Sequence, residues 1–548
     1  MRTMNQWRLR YNFFIDYFMK TKYILLSLFS AWLLAGCFED EGNYSYLPES
    51  APTFLFKSPN HIYCYEDDTT IMKGSFRFNT ADSLERMADL SYEWKLNGVV
   101  LCTEKDFNVP TNEAMDKLGL TEYPSSFLTG TYSVIENSTG LRYMTKVLYN
   151  FIPKYGKGNW MILSKDGENS KLSYQRLIKK NNGNKVDTTF ENTIGIFQKM
   201  NGEIIPGNPR KLLDHLAPSI SVYSLATLVL TDKVAYEVSN ENLKKASDLK
   251  DEFLDGTPAN FSIVDAFYSN RITFLVAEDG RLFRRLFSEN YLGGKFLTEP
   301  YEIDSKGYEV DFIGNGQTSN WTSQRLAYDR KNHRVLTINH SVVAASMGAI
   351  FPVTFVGTGH AVTPWDMGEN SEVLAISEKG DEWLNPYTLK LYRMIYNEDG
   401  KTYIGDFVLD INPPAYYALA INNSYVKKTE SPVQLTKDNK ILITSSNSAG
   451  NYAKYIFYTK GNELRYIDCA TNYKEGLFMT FDAPITAIHY DIYSNNHKEF
   501  GVGLANGDFM RVDIRDKNNP FIIKKSVFNV GGEIVDVSTT GARDYNVE

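Results

Sequence analysis

The sequence has few of the residues that most often carry metal and redox chemistry. Its 548 residues include only 4 cysteines and 7 histidines. No Cys-x-x-Cys pair occurs, and no histidines have the His-Glu-x-x-His spacing that places two metal ligands on one face of a helix. We therefore expect no metal site and no cofactor.

An excess of positive charge is also missing. The chain has 58 Lys and Arg against 66 Asp and Glu, a net charge of -8. Nucleic-acid binding needs a basic patch that neutralises phosphates, so this function class is excluded. The sequence also lacks the Gly-x-Ser-x-Gly motif of many hydrolases and the Gly-x-x-x-x-Gly-Lys-Ser/Thr loop that binds phosphates. No catalytic residue can be named from it.

Long hydrophobic runs are scarce, and the one that stands out ends at a cysteine. The run Tyr23–Gly36 has about 14 residues, whereas a membrane-spanning helix needs roughly 20. It has the length of a signal-peptide core. Residues 34–37, Leu-Ala-Gly-Cys, match the lipobox of bacterial lipoproteins, which implies cleavage before Cys37 and its lipidation. Residues 1–36 are thus predicted to be a signal peptide, with Met19 as the true start.

The residues after Cys37 predict a tether. Residues 37–50 are polar and include the acids Glu39–Glu41, which resemble the acidic export tag of surface lipoproteins in Bacteroides-type bacteria. This resemblance implies a lipid-anchored outer-membrane protein exposed at the cell surface. A plain solvated linker, or a protein facing the periplasm, is the alternative.

Residues 51–153 predict an immunoglobulin-like β-sandwich. They contain short alternating strands rich in aromatic and β-branched residues. Trp94 is expected to face the core just before a tight turn at Asn97-Gly98, the strongest short hairpin signal. The strand with Tyr-x-Trp and a later Gly-x-Tyr strand resemble those of PKD domains. Cys64 and Cys102 fall in this region and are a candidate disulfide, whereas the state of Cys469 stays open.

Residues 158–548 predict a β-propeller-like domain. A strand, a turn and an alternating strand recur at intervals of roughly 45 to 65 residues, the period of four-stranded blades, and favour about seven blades. The clearest copies are WMILSKDGENSKLSYQRL, RITFLVAEDGRLFRRLF, YAKYIFYTKGNELRYIDC and EFGVGLANGDFMRVDIR. Weaker copies are LATLVLTDKVAYEV, RLAYDRKNHRVLTINH and EVLAISEKGDEWLNPYTLKLYRMIY. The alternative is a row of separate β-sandwiches. The predicted fold class is all-β.

The order of these parts resembles the PKD-like lipoproteins encoded with starch-utilisation-type nutrient importers. The resemblance implies a non-catalytic binding subunit for a glycan or peptide beside a TonB-dependent transporter, with membrane lipid held through Cys37. Trp365 with Asp366, and Tyr416 with Tyr417, are candidate ligand-binding residues, since aromatic rings stack on sugars. A surface polysaccharide hydrolase or lyase, or a purely structural envelope subunit, remains the alternative.

Overall fold

A computed structural model describes seventeen stretches of the chain. They are residues 51–55, 61–124, 126–156, 158–182, 185–216, 225–269, 272–286, 295–314, 324–339, 348–353, 370–378, 389–410, 420–421, 427–444, 455–490, 499–516 and 518–540. The chain divides into two compact units. Of the described residues, the smaller contains 51–55, Phe76–Leu90 and Ile135–Tyr143, and the larger contains the others.

Among the described residues before residue 153 there are nine strands and two helices. They are β1 (Thr53–Phe54), β2 (His61–Tyr65), β3 (Thr69–Met72), β4 (Phe76–Arg77), α1 (Ser83–Ala88), β5 (Leu90–Leu96), β6 (Val99–Cys102), β7 (Phe107–Pro110), α2 (Thr111–Leu118), β8 (Leu128–Glu136) and β9 (Arg142–Ile152). In the smaller unit β1 pairs with β4. There Arg86 of α1 donates to the Glu136 carboxylate (Nε to Oε1, 2.5 Å) and lies over the Phe78 ring.

Two further sheets form in the part of the chain for which a sandwich is predicted. One sheet has the strand order β2-β9-β8-β5-β6, and a second pairs β3 with β7. Aromatic rings fill the space between them: Trp94 stacks on Tyr132 at 4.1 Å, and Phe107 of the second sheet lies 5.6 Å from Trp94 and 5.7 Å from Tyr149. Trp94 is fully buried, as predicted. The Asn97-Gly98 turn also forms, with both residues at positive φ.

The candidate disulfide between Cys64 and Cys102 is wrong. Cys64 lies on β2 and Cys102 on β6, the two edges of the five-stranded sheet, and both thiols are free. Four strand spacings separate them by roughly 19 Å, whereas a disulfide needs Cα atoms within about 7 Å. Burial raises the pKa of Cys64 to about 12, which further disfavours its oxidation. Cys469 is also a free thiol.

After residue 153 the described residues form seven antiparallel sheets, which we number in chain order. Sheet 1 contains β10 (Trp160–Asp166), β11 (Asn169–Asn182), β12 (Lys185–Thr193), β13 (Ile205–Pro206) and β39 (Ile534–Thr539); sheet 2 contains β14 (Pro209–Leu216), β15 (Leu225–Thr231), β16 (Ala235–Ser239) and β17 (Lys245–Asp248); sheet 3 contains β18 (Ile263–Ser269), β19 (Ile272–Ala277) and β20 (Leu282–Leu286); sheet 4 contains β21 (Val310–Ile313), β22 (Gln324–Asp329), β23 (Arg334–Asn339) and β24 (Ile350–Pro352).

The remaining three sheets are also antiparallel. Sheet 5 contains β25 (Glu372–Glu378), β26 (Leu389–Glu398), β27 (Lys401–Asp410), β28 (Ala420–Ile421) and β29 (Lys427–Glu430); sheet 6 contains β30 (Ile441–Ile443), β31 (Tyr455–Lys460), β32 (Glu463–Asp468) and β33 (Lys474–Thr480); sheet 7 contains β34 (Ile485–Tyr490), β35 (Glu499–Leu504), β36 (Asp508–Asp513), β37 (Phe521–Ile522) and β38 (Phe528–Asn529). A short helix α3 (Ile196–Asn201) and 3-10 turns at Leu249–Glu252 and Lys524–Ser526 join strands.

We count the strands of each sheet in the order in which they are hydrogen-bonded, starting in sheet 1 from β39. Counted in this way, the repeated hairpins of the sequence join the second and third strands of these sheets, except in one case. Gly280, Gly461 and Gly507 sit at matching turns with φ of 85°, 60° and 87°, a conformation that favours glycine. The exception is the weak copy EVLAISEKGDEWLNPYTLKLYRMIY. It covers the first two strands of sheet 5, β25 and β26, and the matching hairpin turns instead at Asp399-Gly400.

Neighbouring sheets bury their faces against one another. Sheet 5 contributes Met394 to a buried cluster shared with sheet 4, and the next residue, Ile395, to a cluster shared with sheet 6. Successive strand residues point to opposite faces, so both faces of the sheet are covered. Paired members of the seven shared clusters are Leu163 and Val229, Leu228 and Leu275, Phe274 and Leu336, Tyr328 and Met394, Ile395 and Ile456, Phe457 and Phe500, and Phe509 and Ile162.

The last strand of the chain pairs with the first sheet. β39 runs antiparallel to β10, with Trp160 opposite Thr539 and Ile162 opposite Val537. Ile162 and Val537 also belong to the apolar cluster that sheet 1 shares with sheet 7. Sheet 1 is thus built from both ends of the repeat region. Among the helices that the structure describes, none is long and apolar enough to cross a membrane.

The contact between sheets 7 and 1 can be tested with a glycine. A Cβ atom on Gly501 of β35 would lie 2.1 Å from the Trp160 ring, whereas one on Gly405 of β27 would meet its nearest atom at an ordinary 3.5 Å. We expect Gly501→Ala to lower the free energy of unfolding by about 1–3 kcal/mol, because overpacking displaces the indole. Gly405→Ala is the control and should stay within about 0.5 kcal/mol of the wild type. Urea denaturation measures both, and equal stabilities would contradict this packing.

Candidate functional site

The first strands of the sheets share an irregularity that the sequence pattern did not reveal. We call β39, β14, β18, β21, β25, β30 and β34 the leading strands. Six of them have a register shift near their start, at the second residue in five strands and at the third residue in β25. Such a β-bulge turns the neighbouring side chains out of the regular alternation. The extra residues are Arg210, Val264, Asp311, Leu374, Thr486 and Val535.

Asp265 follows the bulge of β18 and links three consecutive sheets. Its Oδ1 accepts the Ala266 N–H at 2.9 Å and the Lys211 ammonium of β14 at 2.6 Å. Its Oδ2 accepts the Ile313 N–H of β21 at 3.1 Å. The carboxylate is only 4% exposed. A buried charge of this kind is stabilised by its ammonium partner and its N–H donors.

Asp536 occupies the same position in β39 and makes the same two backbone contacts. Its Oδ1 accepts the Val537 N–H at 2.9 Å, and its Oδ2 accepts the Leu212 N–H of β14 at 2.8 Å. Both aspartates follow Ile-Val in the sequence, at Ile263-Val264-Asp265 and Ile534-Val535-Asp536. This repeated tripeptide was the sequence signal that could have located them.

Further charges gather at the same ends of the leading strands. The Lys437 ammonium, ahead of β30, lies 3.1 Å from Asp311 Oδ2 of β21 and 3.1 Å from Glu372 Oε1 of β25. Burial opposes the charged form of Lys437, but the two carboxylates outweigh it and raise its pKa. We call the seven side chains at these strand ends the charged cluster: Lys211, Asp265, Asp311, Glu372, Lys437, Lys440 and Asp536.

The pKa of Asp536, a member of the charged cluster, is shifted from its ordinary value. Enclosure of its carboxyl by protein atoms raises its pKa above the ordinary value. The Leu212 N–H, Lys211 and Lys440 oppose this rise because they favour the carboxylate. Lys211 belongs to sheet 2 and Lys440 precedes the leading strand of sheet 6, so charges from distant parts of the chain act on one carboxyl group.

The charged cluster combines hydrogen-bond donors and acceptors from six sheets. Its ammonium groups can donate to ligand oxygens, and its carboxylates can accept from ligand hydroxyl or amide groups. Its acids are already engaged: Asp265, Asp311 and Glu372 each face an ammonium, and Asp536 accepts two N–H groups. The arrangement suits binding better than proton transfer.

The candidate residues named from the sequence cannot be compared with this site. The predicted lipidation site Cys37 and the candidate ligand-binding residues Trp365, Asp366, Tyr416 and Tyr417 lie outside the described residues. Within the described ranges, no group of three or more His, Cys, Asp and Glu side chains could hold a metal ion.

Part of the chain matches a known family. Residues 37–209 match the PKD-like family, so the predicted PKD-like domain is confirmed there. The match begins at Cys37 and ends at Pro209, the first residue of β14, and so includes the sandwich together with strands β10 to β13 of sheet 1. No curated protein sequence matches the chain.

Solved structures give a distant likeness. A quinoprotein alcohol dehydrogenase-like protein of Bacteroides thetaiotaomicron is 10% identical, with a TM-score of 0.36 over 90% of this chain and 97% of that one. The computationally designed protein Ika8 is 11% identical, with a TM-score of 0.35 over 71% and 95%. Sqt1 of Saccharomyces cerevisiae is 10% identical, with a TM-score of 0.33 over 58% and 90%.

Loss of the Asp265 carboxylate should lower the free energy of unfolding more than loss of the Asp311 carboxylate, another member of the charged cluster. Asp265→Ala leaves Lys211 without its partner and the buried Ile313 N–H without an acceptor, and should lower the free energy of unfolding by about 2–3 kcal/mol. Asp311→Ala is the matched control, since its partners Lys437 and Arg330 are 56% and 40% exposed, and should cost less than about 1 kcal/mol. Urea denaturation distinguishes them, and an equal loss in both would show that Asp265 does not link the sheets.

The raised pKa of Asp536 predicts a pH dependence of stability. The folded protein holds this proton more tightly than the unfolded chain, so ionisation costs stability as pH rises from about 4 through the raised pKa. Asn cannot ionise, so Asp536→Asn removes this contribution. The free energy of unfolding of Asp536→Asn minus that of the wild type should therefore increase across this interval and level off above it. A difference that stays flat with pH would contradict the assignment.

Proposed function

We propose that the protein is a lipid-anchored outer-membrane lipoprotein, exposed at the cell surface, that serves as a non-catalytic binding subunit of a nutrient-uptake system. The Leu-Ala-Gly-Cys motif ending at Cys37 supports the anchor, and Glu39–Glu41 support the surface location. The PKD-like match beginning at Cys37 agrees with a sandwich close to the tether.

We further propose that the seven sheets close into a β-propeller of seven blades. Three observations support closure. Each pair of successive sheets shares a buried apolar cluster, sheet 7 shares one with sheet 1, and β39 completes sheet 1 from the other end of the chain. In such a ring the leading strands surround the central axis, and the charged cluster lies at one mouth.

The observation that carries the binding role is the convergence of charges from six sheets at that mouth. Side chains held by ion pairs and backbone N–H groups are preorganised, so a ligand can exchange contacts with them at low entropic cost. Sugar hydroxyls and peptide amides both donate and accept hydrogen bonds, and both match a surface that mixes lysines with carboxylates. A glycan or a peptide is therefore the proposed ligand.

A surface hydrolase or lyase is the second candidate, favoured only by Asp536. Glycoside cleavage generally uses two carboxyl groups with different pKa values, one of them raised. Enclosure by protein atoms raises the pKa of Asp536, but a second acid free to serve as base or nucleophile is not found among the described members of the charged cluster. The binding role therefore has the better support.

The proposed role predicts a partner in the membrane. The full-length chain, tagged at its C-terminus and solubilised in mild detergent, should co-purify with a TonB-dependent transporter identified by mass spectrometry. Cys37→Ala is the control, because without lipidation the protein should leave the membrane and lose this partner. Recovery of no outer-membrane protein with the wild type would contradict the uptake role.

A further inference from the structure

Partly exposed aromatic rings line the outer face of β2, an edge strand of the five-stranded sheet. Ile62 and Cys64 of β2 are buried in the sandwich, so His61 and Tyr63, which alternate with them, face outward. Phe127, just before β8, lies beside them and is 48% exposed. We call His61, Tyr63 and Phe127 the aromatic shelf.

The rings of the aromatic shelf touch one another but do not cover each other's faces. The His61 and Tyr63 rings lie within 18° of parallel with centroids 5.9 Å apart, and the Phe127 ring is inclined by 68° to His61 at 4.7 Å. Rings in full face-to-face contact would be about 3.5–4 Å apart, so His61 and Tyr63 are displaced sideways. Burial and the nearby Lys179 lower the pKa of His61, so its imidazole is uncharged at neutral pH.

A half-buried lysine of sheet 1 lies next to the aromatic shelf. The Lys179 ammonium of β11 is 5.6 Å from the centroid of the Tyr63 ring. Among the described residues, no carboxylate forms an ion pair with Lys179, whereas Arg176 on the same strand donates to Glu191 (Nε to Oε2, 2.7 Å). The charge of Lys179 is therefore available to an external anion.

The shelf and the lysine are held in place by their strands. His61 and Tyr63 pair with Leu148 and Asn150 of β9. On the other side, the Lys179 N–H donates to the hydroxyl of Tyr65, also on β2, at 2.7 Å and so ties β11 to β2. A ligand that contacts this surface therefore meets groups that are already positioned, and little conformational entropy is lost on binding.

We propose that the aromatic shelf and Lys179 bind an acidic sugar residue of a glycan. A pyranose ring has an apolar C–H face that packs on aromatic rings, and a uronic or sialic acid also carries a carboxylate that accepts from an ammonium. The shelf offers both features side by side, and its single available charge selects an acid over a neutral sugar. This site is built from none of the residues of the charged cluster, so it goes beyond the proposed function.

Isothermal titration calorimetry on the full-length chain in detergent micelles tests the proposal. The probes are trigalacturonic acid, sialyllactose and a hyaluronan tetrasaccharide, each compared with its methyl ester. We expect at least one acid to bind about tenfold more tightly than its ester, because the ester loses a hydrogen bond between charged groups. Equal affinity of every acid and its ester, or binding of none of them, would overturn the inference and leave the uptake role to be judged by co-purification.

Single substitutions locate the site. Lys179→Gln should abolish the preference for the acid, and Lys179→Arg should retain it. Phe127→Ala should weaken the acid and its ester alike by about fivefold, because it removes a ring from the contact. The matched controls Lys199→Gln on α3 and Phe521→Ala on β37, both at exposed side chains, should change neither affinity. An unchanged preference in Lys179→Gln, or an unchanged affinity in Phe127→Ala, would overturn the inference.

Discussion

The pairing of β39 with β10 is the contact on which the rest of the larger unit depends. Each sheet is apolar on both faces and needs a neighbour on each side. For the inner members of the series the next stretch of chain supplies those neighbours. Sheets 1 and 7 lie at the two ends of the series, and β39 joins them by giving sheet 1 its leading strand. A chain that ended before residue 534 would expose an apolar face on both.

The same strand ties stability to the candidate site. β39 carries Asp536, whose carboxyl accepts an N–H from sheet 2, just as Asp265 of sheet 3 accepts one from sheet 4. These contacts need a carboxylate at the ends of the leading strands, and its enclosure by protein atoms raises the pKa of Asp536. Groups that hold the sheets together therefore also set the charge at the candidate site.

Several elements of the fold could be predicted from short stretches of the sequence. Trp94, the Asn97-Gly98 turn and the hairpins around Gly280, Gly461 and Gly507 depend on residues close in sequence, and these predictions were confirmed. The Cys64–Cys102 pair was wrong because strand order depends on distant pairing. The charged cluster was missed for the same reason: Lys211 and Asp536 are brought together by the sheets rather than by spacing, and only the repeated Ile-Val-Asp tripeptide marks it locally.

An engineered disulfide between the two ends of the repeat region is the most direct test of the proposed closure of the seven sheets into a ring. The Lys165 N–H donates to the Glu533 carbonyl at 2.9 Å, although 368 positions separate them. Opposed residues of this kind have Cα atoms about 5.5 Å apart, within the range of a disulfide. Lys165→Cys with Glu533→Cys, in a chain whose Cys64, Cys102 and Cys469 are serine, should give a disulfide-linked peptide pair on mild oxidation. A chain that stays reduced, while a Lys460→Cys, Glu463→Cys hairpin control oxidises, would contradict closure through β39.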